Sequence, residues 1–288
     1  MSTSSRTYLI ALTDSRGRGL QGYLENNPGN FTPVIKFLPG RSLQKIASIA
    51  NTVLPAYQDC NYYCIIHAGI CSLTIRTAIG HPSSLRYLLC ERQTKLRQII
   101  DTIAQLKSDN TNRINICTIT PASLTKFFLL KHPHTPLPRG IEEEQAALLE
   151  DIFMINTYIK QLNSDYSNPN INLCARFFSH SKKKQHKSKT KAYKRVTKFK
   201  DTHLVDGLHF APEIRKTCFK LIISTASSEL EKLLSTTQPN GIISLIPVLL
   251  GPRRQQPSLS VLVLTSPRHQ AIGSILQPVA CITARGSI

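Results

Sequence analysis

The chain of 288 residues has no tryptophan, and aromatic residues make up only 7 % of it. It is also short of acids: 17 Asp and Glu stand against 36 Lys and Arg, a formal net charge of +19. That imbalance favours polyanionic partners, either nucleic acid or an anionic membrane surface. No Cys-x-x-Cys pair occurs among the eight cysteines, and Cys60 and Cys64 have no finger-like His pair after them. A structural zinc is thereby disfavoured, and no metal or cofactor is expected. Most of the cysteines lie inside apolar runs and read as buried small side chains, which fits a reducing compartment. No apolar run reaches the length of a membrane span. The most apolar, residues 242–250, is broken by Pro247 and closed by Gly251-Pro252-Arg253-Arg254. Residues 1–7 are short and polar, unlike a signal peptide. The expectation is an intracellular protein of cytoplasm or nucleus, without an integral membrane segment.

What is present is enough apolar residue, 41 %, for one sizeable core. Residues 8–12, 34–38, 62–66, 114–119 and 171–178 are short apolar runs, each suited to a strand buried on both faces. Between them lie helical patterns. Ser42 reads as an N-cap before Leu43, Ile46, Ala47, Ala50 and Leu54, with Pro55 as the stop. A long helix is predicted over 84–107, with Leu85, Leu88, Leu89, Leu96, Ile99, Ile100, Ile103 and Leu106 on its apolar face. Another runs over 142–162, its first turn carrying Glu142, Glu143 and Glu144, where the helix dipole favours acids. Three prolines make 131–140 a loop. A last helix starts near Pro212 and runs to about 234. Strands alternating with helices predict an α/β fold: a three-layer α/β/α sandwich around a parallel five-stranded sheet, flavodoxin-like in outline. Residues 1–234 form the expected domain, and 235–288 a C-terminal extension.

In open parallel sheets, ligands bind beyond the carboxyl ends of the strands. Ser15, Gly40 and Gly69 each lie just past such an end. A serine hydroxyl needs a base to take its proton. His209 is a candidate for that base, and Asp206, three residues earlier, for the group that orients it. The bland alternatives are an ordinary turn serine and a polar residue ahead of a helix. His67, at the end of a strand near the same rim, reads as a structural histidine or a substrate contact.

These residues carry a resemblance. Thr13-Asp14-Ser15-Arg16 resembles the nucleophile block of the SGNH (GDSL-like) hydrolases, Gly40 their second-block glycine, and Asp206-Gly207-Leu208-His209 their fifth block. The order holds over residues 7 to about 230. The resemblance implies a serine esterase acting on acyl esters, with Ser15, Asp206 and His209 as catalytic residues. It places the oxyanion donors at Ser15, Gly40 and position 71, with Asp14, Arg16, Gly69 and Ser72 close to substrate. Two departures stand out. The family's Gly-x-Asn-Asp block reads Gly69-Ile70-Cys71-Ser72, so a weak thiol donor replaces the asparagine amide. Thr13 replaces the first-block glycine and is expected to crowd the turn. Losing one oxyanion donor typically costs on the order of 10² to 10³ in rate. Cys71 reads as a packed thiol rather than a substitute nucleophile.

The second functional reading rests on residues 182–200. Lys182, Lys183, Lys184, Lys187, Lys189, Lys191, Lys194, Arg195, Lys198 and Lys200 crowd a stretch with almost no apolar content. An exposed, mobile loop is predicted there, fit for RNA or DNA phosphates or for nuclear import. Tyr193 and Phe199 among the lysines favour single strands through base stacking. This run, the Gly-Ile-Cys block and the helix containing Asn163 also resemble SGNH-like domains of animal retroelement proteins. On that reading the chain is a non-catalytic, nucleic-acid-binding module.

Overall fold

The computed structural model describes residues 6–77, 84–110, 113–184 and 193–237. The chain starts with β1 (Thr7–Thr13), passes through α1 (Leu20–Asn26) to β2 (Thr32–Phe37), then through α2 (Leu43–Val53) to β3 (Asn61–His67). A short α3 (Ile70–Leu73) and an antiparallel ribbon of β4 (Ile75–Thr77) and β5 (Ser84–Arg86) precede α4 (Arg92–Asn110) and β6 (Ile114–Ile116). Next come α5 (Leu124–Lys131) and α6 (Ile141–Asp165). A hairpin of β7 (Phe178–Lys184) and β8 (Tyr193–Phe199) follows, and then α7 (Pro212–Thr237).

The central sheet is parallel, in the order β2-β1-β3-β6. Side chains alternate across a strand, so each strand feeds two cores. Ile10, Leu12, Cys64 and Ile66 face α2, α4 and α6, whose Ile46, Ile99 and Ile152 are wholly buried against them. Leu9, Tyr63 and Ile65 face the opposite layer, where α7 supplies Cys218, Ile222 and Ala226. Ala11 packs with Leu20 and Leu24 of α1 and Phe219 of α7. This is the three-layer α/β/α arrangement. Its helix signals are local: the Ser42 hydroxyl caps α2 by accepting from the Lys45 N–H.

Three expectations need correction. The sheet has four strands, not five. Residues 171–173 take no regular structure, and Cys174–Phe177 is a 3-10 turn. Pro169 brings no N–H to a ladder. What remains is a backbone bond from Thr118 N–H to the Ile171 carbonyl, with the Thr118 hydroxyl accepting from the Cys174 N–H. Leu173 and Phe177 are still buried under α7, so the apolar signal was for burial, not for pairing.

The helix expected over 84–107 begins only at Arg92. Its first residues are drawn into β5 by tertiary bonds that periodicity does not encode. Arg86 Nε donates to both carboxylate oxygens of Glu144 on α6, and the Tyr87 N–H donates to the same carboxylate. Arg92 then binds the fully buried Asp151, which the Tyr87 hydroxyl also reaches.

The mobile loop expected over 182–200 is largely the hairpin β7–β8; Lys187, Lys189 and Lys191 lie outside the described residues. The expected domain limit at 234 falls inside α7, and the rest of the predicted extension, 238–288, lies outside the described residues.

Candidate active site

β1 lies between β2 and β3, so the chain leaves it first to one side and then to the other. A sheet opens a crevice at the carboxyl ends of its strands where the order reverses in this way. Two bonds extend the ladder into that crevice: Leu38 N–H to the Thr13 carbonyl at 2.8 Å, and Asp14 N–H to the His67 carbonyl at 3.2 Å. Ser15 stands at this point, opening a 3-10 turn over Ser15–Gly17. Asp14, buried, caps the turn: its carboxylate accepts from the Arg16 N–H at 2.9 Å.

Thr13 does not crowd the turn. A Cβ built on Gly17 would fall 1.6 Å from the Thr13 hydroxyl oxygen, so Gly17 leaves the space that Thr13 fills. Arg16 points inward and is only 3 % exposed. Its guanidinium donates to the Pro121 carbonyl at 2.8 Å and to the carbonyl and hydroxyl of Thr120, and it lies over the Phe210 ring. Burial pushes its pKa down. Arg16 thus fastens the serine turn to the segment after β6.

Asp206 and His209 come from a tight loop closed by the Leu204–Phe210 bridge. One carboxylate oxygen of Asp206 accepts from the N–H groups of Leu208 and His209, at 3.0 and 2.7 Å. The other lies 2.8 Å from His209 Nδ1. Burial raises the Asp206 pKa. The ring hydrogen bond and the two backbone donors outweigh it and hold the carboxyl well below the usual range. An ionised acceptor at Nδ1 fixes the proton there and leaves Nε2 as the basic nitrogen. Gly207 makes the loop possible. It has φ +79°, and a Cβ would meet the Ser123 carbonyl oxygen at 2.4 Å.

Ser15, Gly40, Cys71 and His209 line one cavity of about 520 Å³. Ser15, Arg16, Asp206 and His209 also line an adjoining one of about 180 Å³. Among the described residues no hydrogen bond joins the Ser15 hydroxyl to the His209 ring, and none takes up the N–H of Ser15 or Gly40. Gly40 has φ +69° with open space where a Cβ would stand. Cys71 sits in the first turn of α3, half-buried, and burial pushes its thiol up to about 11, so it is protonated at neutral pH.

Ser72 and Gly69 face elsewhere. The Ser72 hydroxyl accepts from the Leu43 N–H at 2.7 Å, tying α3 to the start of α2. Gly69, with φ +129°, lies against Ile119. His67 is buried beside Phe210, and burial brings its pKa down to about 4. Sequence reasoning missed Arg18, Thr74 and Arg76, which line the larger cavity. Only Arg18 had a local signal, three residues after Ser15 across the turn. A groove of similar volume between α2 and α4 is lined by no titratable side chain.

No family model matches the chain, and no curated protein matches its sequence. Solved structures do. It is similar to a lipase/acylhydrolase from Enterococcus faecalis, with 12 % identity over 77 % of this chain and 96 % of that one, at a TM-score of 0.48. It is also similar to a GDSL-like lipase from Bacteroides thetaiotaomicron: 12 % identity, 78 % and 88 % coverage, TM-score 0.46. A third is an acetyl xylan esterase, at 12 % identity, 75 % and 98 % coverage and a TM-score of 0.43. At these values the likeness says nothing of substrate. The chain itself shows an α/β fold, a parallel sheet between helix layers, with a serine after β1, a glycine after β2 and Asp-x-x-His before α7.

Proposed function

We propose that the protein is a serine ester hydrolase in which Ser15 is the nucleophile, His209 the base and Asp206 the residue that orients His209. The observation that carries this reading is the shared cavity of Ser15, Gly40 and His209, together with the Asp206 bond at Nδ1. Ser15 Oγ attacks the ester carbonyl carbon while its proton passes to His209 Nε2. The carbonyl oxygen becomes an oxyanion facing the N–H groups of Ser15 and Gly40. The C–O bond to the alcohol breaks, and the alcohol leaves with the proton from Nε2. Water, deprotonated by the same nitrogen, then releases the acyl group from Ser15.

A fluorophosphonate probe tests this. Wild-type protein is expected to become labelled at Ser15, and Ser15→Ala and His209→Ala to lose the label while melting at similar temperatures. A folded wild type that takes up no probe overturns the reading.

A second reading has one specific observation behind it. The hairpin register sets Lys182 opposite Arg195 and Lys183 opposite Lys194. Basic residues paired along two strands of a ribbon favour a polyanion such as single-stranded RNA. Deleting 182–200 is then expected to weaken RNA binding steeply at low salt; unchanged binding excludes this reading.

A further inference from the structure

We infer that the substrate carries an anionic group, a carboxylate or a phosphate, close to the ester, held by Arg18 and Arg76. The inference rests on the hydrolase reading for the position of the ester. It comes from the composition of the cavity wall. Among the described residues, Ser15, His209, Gly40 and Cys71 are joined there by two arginines and by no acidic residue. Asp14 lies behind the wall, spent on the Arg16 N–H. In the adjoining cavity Arg18 recurs with Arg215, and its single acid, Asp206, is bound to His209.

Arg18 and Arg76 are both exposed, and among the described residues neither forms a salt bridge. The Arg76 guanidinium rests 5.8 Å from the Phe127 ring, which leaves its N–H fork for a ligand. Arg18 begins where the serine turn ends: its N–H closes on the Ser15 carbonyl at 3.4 Å. The two side chains thus approach the reacting centre from the β1 turn and from β4. A guanidinium fork matches the geometry of a carboxylate or phosphate and stays charged at every relevant pH. A wall with two such forks and no carboxylate selects for a charged acyl or alcohol part.

The test uses a matched pair of esters, 4-nitrophenyl hydrogen adipate and 4-nitrophenyl hexanoate, which differ in one terminal carboxylate. The wild type is expected to favour the adipate in kcat/KM. Arg18→Gln and Arg76→Gln should each lower the adipate-to-hexanoate ratio by about ten-fold or more. The ratio should also fall as salt rises. Equal rates for the two esters, with turnover that still depends on Ser15, overturn the inference and leave the hydrolase reading standing. Absence of Ser15-dependent turnover of both overturns the hydrolase reading instead. Binding then decides the inference: Ser15→Ala protein is titrated with ethyl hydrogen adipate and with ethyl hexanoate. Tighter binding of the adipate, lost in Arg76→Gln, supports it; equal affinities overturn it.

Discussion

On the proposed hydrolase reading, one side chain, at residue 71, separates this site from a fully equipped one: the N–H groups of Ser15 and Gly40 would face the oxyanion, and a protonated thiol stands at the third position of that wall. An S–H bond donates weakly, whereas an amide N–H directed at the developing charge is worth on the order of ten-fold or more in rate. Cys71→Asn is therefore expected to raise kcat for the hexanoate ester about ten-fold or more, with a smaller change in KM. Steady-state kinetics of the two proteins checks this, and a fall in kcat would show that position 71 does not face the oxyanion. Residue-scale reasoning from sequence went astray at Thr13 for a physical reason. The space for its side chain is supplied by Gly17, four residues on, and only the turn brings the two together.

At the scale of elements, the Asp206–His209 loop depends on its seat against the N-terminus of α5. The Ser123 N–H donates to the Gly207 carbonyl at 2.7 Å, and Lys126 reaches back to the Leu204 carbonyl. Gly207→Ala forces a Cβ into backbone at a positive φ. It is expected to destabilise the protein by about 2 kcal/mol and to slow probe labelling of Ser15 further than the loss of stability explains. Thermal melts and labelling rates on the same samples separate the two effects. Parallel strands, the Ser42 cap and the start of α7 were legible because each has a local signal: an apolar run, a hydroxyl at the right offset, a proline at the first turn. β5 and the missing fifth strand were not. Ser84–Arg86 follows Glu144, a partner 58 residues away, and residues 171–173 keep the apolar content of a strand without its ladder.

At the scale of the whole molecule, stability should track the protonation of His67. It is wedged between the Asp14 turn and Phe210, close to the Arg16 charge, with burial the main reason its pKa falls to about 4. Below about pH 6.5 the unfolded chain takes up a proton that the folded state refuses. The stabilising contribution is therefore complete above pH 6.5, declines as pH falls toward 4, and changes no further below that. The loss between pH 7 and pH 4 is about 3 kcal/mol. His67→Gln, neutral throughout, should lose less stability than wild type over that interval in urea denaturation. Equal losses would show that His67 is protonated in the fold.

Arg16 gives the site a further property. One guanidinium ties the turn after the central strand to the segment beyond β6, across the width of β3. Any breathing that lifts residues 117–121 away from their neighbours is expected to carry the Ser15 turn with it, so on the hydrolase reading the reactivity of a single serine becomes a gauge of how tightly the far margin of the sheet is closed.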